Sequence, residues 1–369
     1  MVAAEAAVLR SSGHEVVQHV VDNPSRPLET ASTLMRAPWN RETQRTLERL
    51  ARKVRPDVAH LHNTWFALSP SAVDGLRSAR VPVVATVHNY RLFCIDSTLF
   101  REGAPCFKCV GASPAPGVRH RCYRNSLALS SVAAVTIAVN RRRRTWEDGV
   151  ELFLAPSAFA RGLLVQGGIP EERIQVKPHF VADPGPRASP PSASHTVLYV
   201  GRLAPGKGVD VLLEAWSRRG PSSLSLSIVG DGPLRAELEQ AAPSGVRFLG
   251  RLPPVEVIAA MKTARALVFP SAWPEPFGMV LVEAMAAGLP VVGSDVGASR
   301  EVLRPDPSAI LVAPGADELA RAVATLADGE VADRAGARAR RRYEQHYTPE
   351  RNLGLLEACY ASVTAGTER

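Results

Sequence analysis

Residues 269–292 read Phe269-Pro-Ser-Ala-Trp-Pro-Glu-Pro-Phe-Gly-Met-Val-Leu-Val-Glu-Ala-Met-Ala-Ala-Gly288-Leu-Pro-Val-Val292. An apolar strand ends near Phe269 and a proline-rich loop carries Glu275. A helix then starts near Phe277–Gly278, and Gly288 suits its C-terminus. Another apolar run follows at once, so strand, loop, helix and strand succeed one another as in a parallel α/β sheet. From Met279 to Ala287 every residue is apolar except Glu283. A helix apolar on all faces is normally buried, and a carboxylate buried there without a partner is costly. A core arginine or buried amides would serve as that partner, and so would a polyhydroxylated ligand. The ligand accounts for more of the segment. Open amides at Phe277, Gly278, Met279 and Val280 suit a diphosphate. Glu283 lies about 7 Å along the axis from Gly278, at about 1.5 Å per residue, an offset that suits a ribose. Glu275, just ahead of the helix, can reach the hydroxyls of a sugar.

Upstream, the run Val197–Val200 leads into Gly201-Arg-Leu-Ala-Pro-Gly-Lys-Gly208. This matches most of a phosphate-binding P-loop, but Gly208 stands where a Ser or Thr would hold Mg²⁺. Arg202 and Lys207 remain as two cations on a glycine loop, a pattern shared with plain exposed surface loops. Further strands fit Leu224–Val229, Val246–Leu249, Ala266–Phe269, Val291–Gly293 and Ile310–Val312, with helices between them. In the first half, apolar runs at Val16–Val21, Val58–Leu61, Val81–Val87, Leu152–Ala155 and Ile174–Lys177 alternate with helical stretches such as Arg41–Lys53. Between the halves, Asp183–His195 is rich in Pro, Ser and Gly and reads as a linker. The expected organisation is an α/β chain of two doubly wound domains. The N-terminal one spans 1–182 with an insertion at 91–124, the linker is 183–195, and the C-terminal one spans 196–345. A last helix, 346–369, is expected to return to the first domain. Ligands of such sheets bind beyond the carboxyl ends of the strands.

The segments Val200-Gly-Arg-Leu-Ala-Pro-Gly-Lys-Gly208, Val229-Gly-Asp-Gly-Pro-Leu-Arg235, Phe248-Leu-Gly-Arg-Leu252 and Pro274–Val292 together resemble, in order and spacing, the retaining glycosyltransferases of family four. The resemblance implies the GT-B fold, two Rossmann-like domains facing across a cleft. It implies transfer of a sugar from a nucleotide-diphosphate donor, of the UDP type, with retention and with no metal required. Arg202 and Lys207 would grip the diphosphate beside Gly201, Glu275 the sugar and Glu283 the ribose. Gly250, Arg251 and Leu252 would lie against the base. Thr86-Val-His-Asn-Tyr90 looks like the family segment whose histidine faces sugar and acceptor, which makes His88 the catalytic candidate of the first half. The acceptor is left open among a saccharide, a lipid-linked glycan and a small natural product. Family members begin with a strand and a glycine-rich turn ahead of a helix ending in Gly-His-Glu-Val. Here Ser12-Gly-His-Glu-Val16 is present, so the first domain is expected to lack its first strand, with roughly 15–25 further residues encoded upstream. That departure leaves a non-catalytic, sugar-nucleotide-binding or partner-stabilising subunit as the alternative. A nicotinamide-dependent oxidoreductase fits poorly, because Gly230–Arg235 lacks the third glycine of the dinucleotide fingerprint.

Four of the five cysteines, Cys94, Cys106, Cys109 and Cys122, surround a Cys-x₂-Cys pair within the insertion. Their spacing suits structural zinc or an iron–sulfur cluster as well as packed reduced thiols. The net charge of +8 permits anionic partners. No aromatics interleave the arginine runs, which speaks against nucleic acid. Arg141–Arg144 follows the apolar stretch Leu127–Val139, so solvated helix ends and peripheral contact with an anionic membrane are both open readings. That stretch is shorter than the roughly 20 residues a spanning helix needs. Met1–Arg10 has no signal-peptide pattern, so a cytoplasmic protein is expected.

Overall fold

The computed structural model describes residues 1–219, 223–303 and 310–365. The chain divides into two compact units. The first comprises Met1–Leu99, Cys106–Pro178 and Asn352–Arg369, the second Phe100–Pro105 and His179–Arg351. The last residues of the expected C-terminal helix, 366–369, lie outside the described residues.

The strands are, in chain order, β1 (Ala59–Leu61), β2 (Val83–Thr86), β3 (Phe100–Arg101), β4 (Ala104–Pro105), β5 (Leu152–Ala155), β6 (Ile174–Val176), β7 (Thr196–Val200), β8 (Ser225–Val229), β9 (Val246–Gly250), β10 (Ala266–Phe269), β11 (Val291–Ser294) and β12 (Ile310–Val312). The first unit holds a four-stranded parallel sheet in the order β1-β2-β5-β6. Side chains alternate between its faces, as the two-residue period of a strand requires. Val83, Ala85, Phe153 and Ala155 enter one core cluster, which includes Leu47, Leu76 and Leu164. Val84, Leu152 and Leu154 enter the other, against Leu9, Leu356 and Cys359. The helices Val2–Ser11 and Pro349–Thr364 therefore cover the same face, although they stand at opposite ends of the chain. The β3–β4 hairpin, which lies inside the expected insertion, groups with the second unit.

The second unit is a six-stranded sheet, ordered β12-β11-β10-β7-β8-β9, and every pairing is parallel. Its strands read as near-continuous apolar runs because helices cover both faces. Ala266 and Val268 of β10 pack on one side with Val197, Leu212 and Leu226. Leu267 and Phe269 pack on the other with Leu281, Val282 and Met285.

Two expectations are corrected. Val16–Val21 is not a strand; it makes no ladder, and Val17, Val20 and Val21 are 51%, 72% and 42% exposed. Its four valines are right for a strand, but without a pairing edge the segment has nothing to satisfy its amides. Asp183–His195 is not a free linker either. Asp183 holds Arg340 through two contacts of 2.6 Å, Arg187 donates to the carbonyls of Gly288 and Ala264, and Ser192 binds Asp333. Polar anchors fix it to the second unit where apolar burial could not.

Loops at the carboxyl ends of the central strands interlock closely. Gly208 has φ +71°, and a Cβ there would sit 1.9 Å from the Pro270 carbonyl oxygen. Gly208→Ala is expected to destabilise the second unit by about 2 kcal/mol or more, combining backbone strain with overpacking. A denaturant-midpoint comparison checks this, and an unchanged midpoint would show that the two loops can part without cost.

Candidate active site

In the second unit, the ends of β7, β8, β9 and β10 are stitched to one another. Gly201 N–H donates to the Val229 carbonyl at 3.0 Å and Leu203 N–H to that of Asp231 at 3.0 Å. Gly230 N–H donates to the Gly250 carbonyl at 2.7 Å. The Gly206 carbonyl receives the amides of Ala272 and Trp273 at 2.9 and 3.1 Å. That last pair of bonds joins the glycine loop after β7 to the proline-rich loop after β10.

The consequence is a meeting of side chains far apart in sequence. The Lys207 ammonium donates to Glu275, 68 residues on. The two side chains are 17% and 13% exposed, so the pair is mostly withdrawn from water. The ammonium also stands 4.1 Å from the centre of the Trp273 ring, a cation–π contact. The Trp273 indole N–H is buried with no hydrogen-bond partner among the described residues. Arg202 is exposed on the same loop.

The helix Met279–Ala286 begins one turn beyond. Its N-cap is Gly278 with φ +89°, and no side chain caps it. Its leading amides thus add positive potential at the helix start. Phe277 is buried between His179 and Tyr347, at ring separations of 5.2 and 5.9 Å, so only its backbone can serve a ligand. Glu283 is partly buried, and among the described residues no cation pairs with it. Burial alone pushes its carboxyl above the usual range. The core-arginine reading of Glu283 is thus not what the structure contains. Gly250 ends β9 with φ +69°, followed by an exposed Arg251 and a partly buried Leu252 that packs on the core.

His88 belongs to the first unit, just past the end of β2. It shares a cavity with His62, Asn63, Trp65, Arg91 and Asn140. Its Nε2 is 3.0 Å from His62 Nδ1, and the two rings stack with centres 5.2 Å apart. Beside them His60 bonds Tyr360 and Thr86 at 2.8 and 2.7 Å. Behind His62 lies Glu5, which pairs with the fully buried Lys177 at 2.7 Å. None of His60, His62, Glu5 and Lys177 was singled out by motif. The available signal was the repetition of histidine at His60 and His62, within and just past a short strand.

The cysteines are all free thiols. Cys94 and Cys106 lie near enough to Cys109 to influence its charge, but burial is the main cause raising that thiol. Among the described residues, the trio of possible ligand atoms within 4.8 Å of one another is Glu5, His60 and His62, not the cysteines. The Arg141–Arg144 run is also largely engaged. Arg141 donates to the Ala112 carbonyl, Arg143 pairs with Asp74 and lies over the Trp39 ring, and Arg144 pairs with Asp148. No helix among the described residues is long and apolar enough to cross a membrane.

Comparison with known proteins places both units. Residues 187–342 match the family description "Glycosyl transferases group 1", and residues 2–183 match "Glycosyltransferase Family 4". The phosphatidyl-myo-inositol mannosyltransferase of Mycobacterium leprae is 32% identical over 324 residues, covering 83% of this chain and 74% of that protein. A glycogen synthase of Mycobacterium tuberculosis is 29% identical over 341 residues, 86% of this chain and 70% of its own. Among solved structures, sucrose-phosphate synthase of Thermosynechococcus elongatus superimposes with a TM-score of 0.70 at 18% identity, covering 99% of this chain and 93% of its own. HepE of Anabaena, solved in complex with UDP, superimposes at 0.65 and 19% identity, covering 86% and 82%.

Burial is the first cause holding His62 and His88 down at about 4, with Lys177 adding to it at His62 and the His62 charge at His88; His60 is lowered as well. The unfolded chain takes up these protons near pH 6.5, whereas the folded unit resists until about 4. Stability from this source is complete above pH 6.5 and is lost as pH falls toward 4. Denaturant midpoints measured stepwise from pH 7.5 to 4.5 should therefore fall across that window. A flat profile would mean the histidines ionise without cost in the folded protein.

Proposed function

We propose that this chain, which belongs to glycosyltransferase family 4, transfers a sugar from a nucleotide-diphosphate donor, with UDP as the nucleotide, using the loops at the ends of β7 and β10. As a member of that family it is a retaining glycosyltransferase of the GT-B fold. The observation that carries the donor reading is the junction of Lys207, Glu275 and the unpartnered Trp273 indole beside an uncapped helix start. A cation, a carboxylate, an orphan donor and open amides within one set of loops are the groups a phosphorylated sugar requires. The Anabaena neighbour with bound UDP lends the nucleotide its identity by analogy of fold.

The chemistry follows from where charge develops. Cleaving the anomeric C–O bond leaves negative charge on the departing diphosphate and positive character on the sugar ring. Arg202, Lys207 and the leading amides of the helix Met279–Ala286 stabilise the leaving group, the largest electrostatic task in the reaction. Glu275 accepts from hydroxyls of the transferred sugar, and Glu283 accepts from the ribose. Gly201 lets the backbone approach the phosphates, while Gly250, Arg251 and Leu252 border the base. His88 serves the sugar and the incoming acceptor hydroxyl. The acceptor is a hydroxylated molecule of the saccharide, lipid-linked glycan or small natural-product classes. The relatives' names carry phosphatidyl-myo-inositol in one case and glycogen in the other, which supports no single acceptor class.

Release of UDP from a panel of UDP-sugars, with and without acceptor mixtures, tests the reading directly. Arg202→Ala and Lys207→Ala should each lower turnover at least tenfold, about 1.4 kcal/mol of lost transition-state stabilisation. Parent-like kinetics in both folded variants would remove them from the site. Glu283→Gln should weaken UDP binding, read by calorimetry, with an unchanged circular dichroism spectrum. Equal affinity in parent and variant would eliminate the ribose contact.

A further inference from the structure

The segment between β2 and the helix Leu127–Arg142 carries four cysteines that the donor chemistry does not use. Two peptide units draw them together in pairs. Leu99 donates its N–H to the Cys94 sulfur, and its carbonyl accepts the Cys106 N–H at 2.7 Å. Gly117 does the same for the second pair, giving its N–H to the Cys109 sulfur and accepting the Cys122 N–H at 2.9 Å. Cys94 and Cys106 both lie near enough to Cys109 to act on its charge, which joins the two pairs. Ile95, next to Cys94, also shares an apolar cluster with Cys122. All four cysteines belong to the first unit.

The surroundings of the sulfurs suit thiolates better than thiols. Cys94 Sγ receives the amides of Asp96, Ser97 and Leu99. A neutral thiol is a weak acceptor with little use for three donors, whereas a thiolate is favoured by them. Beside Cys109 stands Arg141, whose Nη1 donates to the Ala112 carbonyl at 2.6 Å. Its Nη2 is buried with no hydrogen-bond partner among the described residues. Arg91 lies near enough to Cys94 for their charges to attract. Four thiolates around a divalent ion leave two net negative charges, which these two guanidinium groups match.

The backbone of the same segment is held in costly shapes. Of the ten non-glycine residues with positive φ among the described residues, six fall here: Ser97, Leu99, Glu102, Arg121, Arg124 and Asn125. Such conformations persist only where the surroundings over-determine them. The two-residue strands β3 and β4 and the five-residue helix Ala115–Arg119 are too short to do so. The rival metal site, Glu5 with His60 and His62, is already engaged. Lys177 pairs with its carboxylate, and Tyr360 and Thr86 occupy both nitrogens of His60. The sulfurs are less tightly grouped than that trio. Bonds of about 2.3 Å to a metal would draw them in by side-chain rotation.

We propose that Cys94, Cys106, Cys109 and Cys122 hold one zinc ion as four thiolates, a structural clip within the first unit. The four thiol protons pass to solvent as the ion binds. Zinc suits the set because structural sites of four cysteines are tetrahedral and redox-inert. The clip fastens the segment after His88 to the entry of the helix Leu127–Arg142. Arg91, which borders the His88 cavity, donates to the Ile95 carbonyl and to Ser97 Oγ, both close to Cys94 in sequence. The same guanidinium lies 4.8 Å from the ring centre of Tyr123, which follows Cys122. The clip does not depend on the donor reading.

Elemental analysis of the untagged full chain, purified anaerobically with reductant, should give about one zinc per chain and little iron. A mercurial thiol reagent added to the native protein should release that zinc as four thiols react. Co²⁺ in place of zinc should show sulfur-to-cobalt charge-transfer bands and the intense visible bands of a tetrahedral thiolate site. That spectrum reads the ligands in the parent, so it stands even where a cysteine variant fails to fold. Cys106→Ser and Cys109→Ser should each lose most of the zinc, whereas Cys359→Ser, outside the segment, should keep it. Removing the ion with a chelator should speed amide hydrogen exchange about tenfold or more across residues 89–126. A folded parent that binds neither zinc nor Co²⁺ through sulfur overturns the proposal, as does iron with acid-labile sulfide, or a disulfide among the four. Zinc that survives in folded Cys106→Ser and Cys109→Ser overturns it too, and so does exchange in 89–126 that ignores removal of the ion.

Discussion

Lys207 and Glu275 reach one another only because the Gly206 carbonyl receives two amides from the Trp273 loop, which locks the ends of β7 and β10 together. At 17% and 13% exposure, either charge alone would forfeit much of its hydration. Together they offset that loss, and the Trp273 face adds to the ammonium's stabilisation. The parts of the second unit around them serve this arrangement. Gly208 leaves room for the Pro270 carbonyl, and Gly230 admits the Gly201 carbonyl to 1.8 Å of where a Cβ would stand. In the proposed reaction the pair separates its tasks: the ammonium turns to phosphate oxygen and the carboxylate to sugar hydroxyl. Each partner is thus held in place before the donor arrives, which is what preorganisation means in electrostatic terms.

The first unit relies on a different device. Glu5, Lys177 and Asn352 lie near the start, middle and end of the chain, yet their polar atoms meet at 2.7 and 3.1 Å in the interior. A buried ion pair seldom adds net stability over a well-packed apolar substitute, because desolvation absorbs most of the Coulombic gain. What it does supply is intolerance of misalignment, since a shift that separates the partners strands a charge in the core. The helices Val2–Ser11 and Pro349–Thr364 have weak individual claims to one position on the sheet. Leu9, Leu356 and Cys359 give them an apolar seat, and the Lys177 contacts set their register on it.

Much of this was legible from local pattern, and the exceptions have a common cause. The six strands of the second unit stand out because parallel strands buried on both faces leave unbroken apolar runs, such as Ala266–Phe269. The helix after Gly278 is legible for the same reason, as is the oddity of Glu283 within it. Val16–Val21 carries an equally good strand pattern and is not a strand, because a strand is a property of a pair of segments and the pattern describes one. Asp183–His195 looked free because it has little to bury, yet its anchors are hydrogen bonds to Arg340, Asp333 and the carbonyls of Ala264 and Gly288, partners that no local reading can supply. Among the cysteines, spacing along a loop-rich segment brought Cys94 and Cys106 near enough to Cys109 to influence its thiol. His62 escaped notice because its meaning lies in Glu5 and His88, 57 and 26 positions away by residue number, and not in its neighbours.

The two units also differ in how they manage charge, and the difference suits the reaction proposed for them. Where phosphate is to depart, the second unit presents a lysine, an arginine and helix amides. His88, assigned to the sugar and acceptor hydroxyl, sits in a cavity bordered by Trp65, Ile137 and Phe153, where burial resists protonation. A transferring sugar gains positive character at its anomeric carbon, so an imidazolium serving that sugar would raise the barrier through like-charge repulsion. A neutral imidazole can still exchange hydrogen bonds with hydroxyl groups and carries no such penalty. Burial of His60, His62 and His88 therefore costs the fold stability on acidification, and in return it supplies a hydrogen-bonding group that stays uncharged across the physiological range.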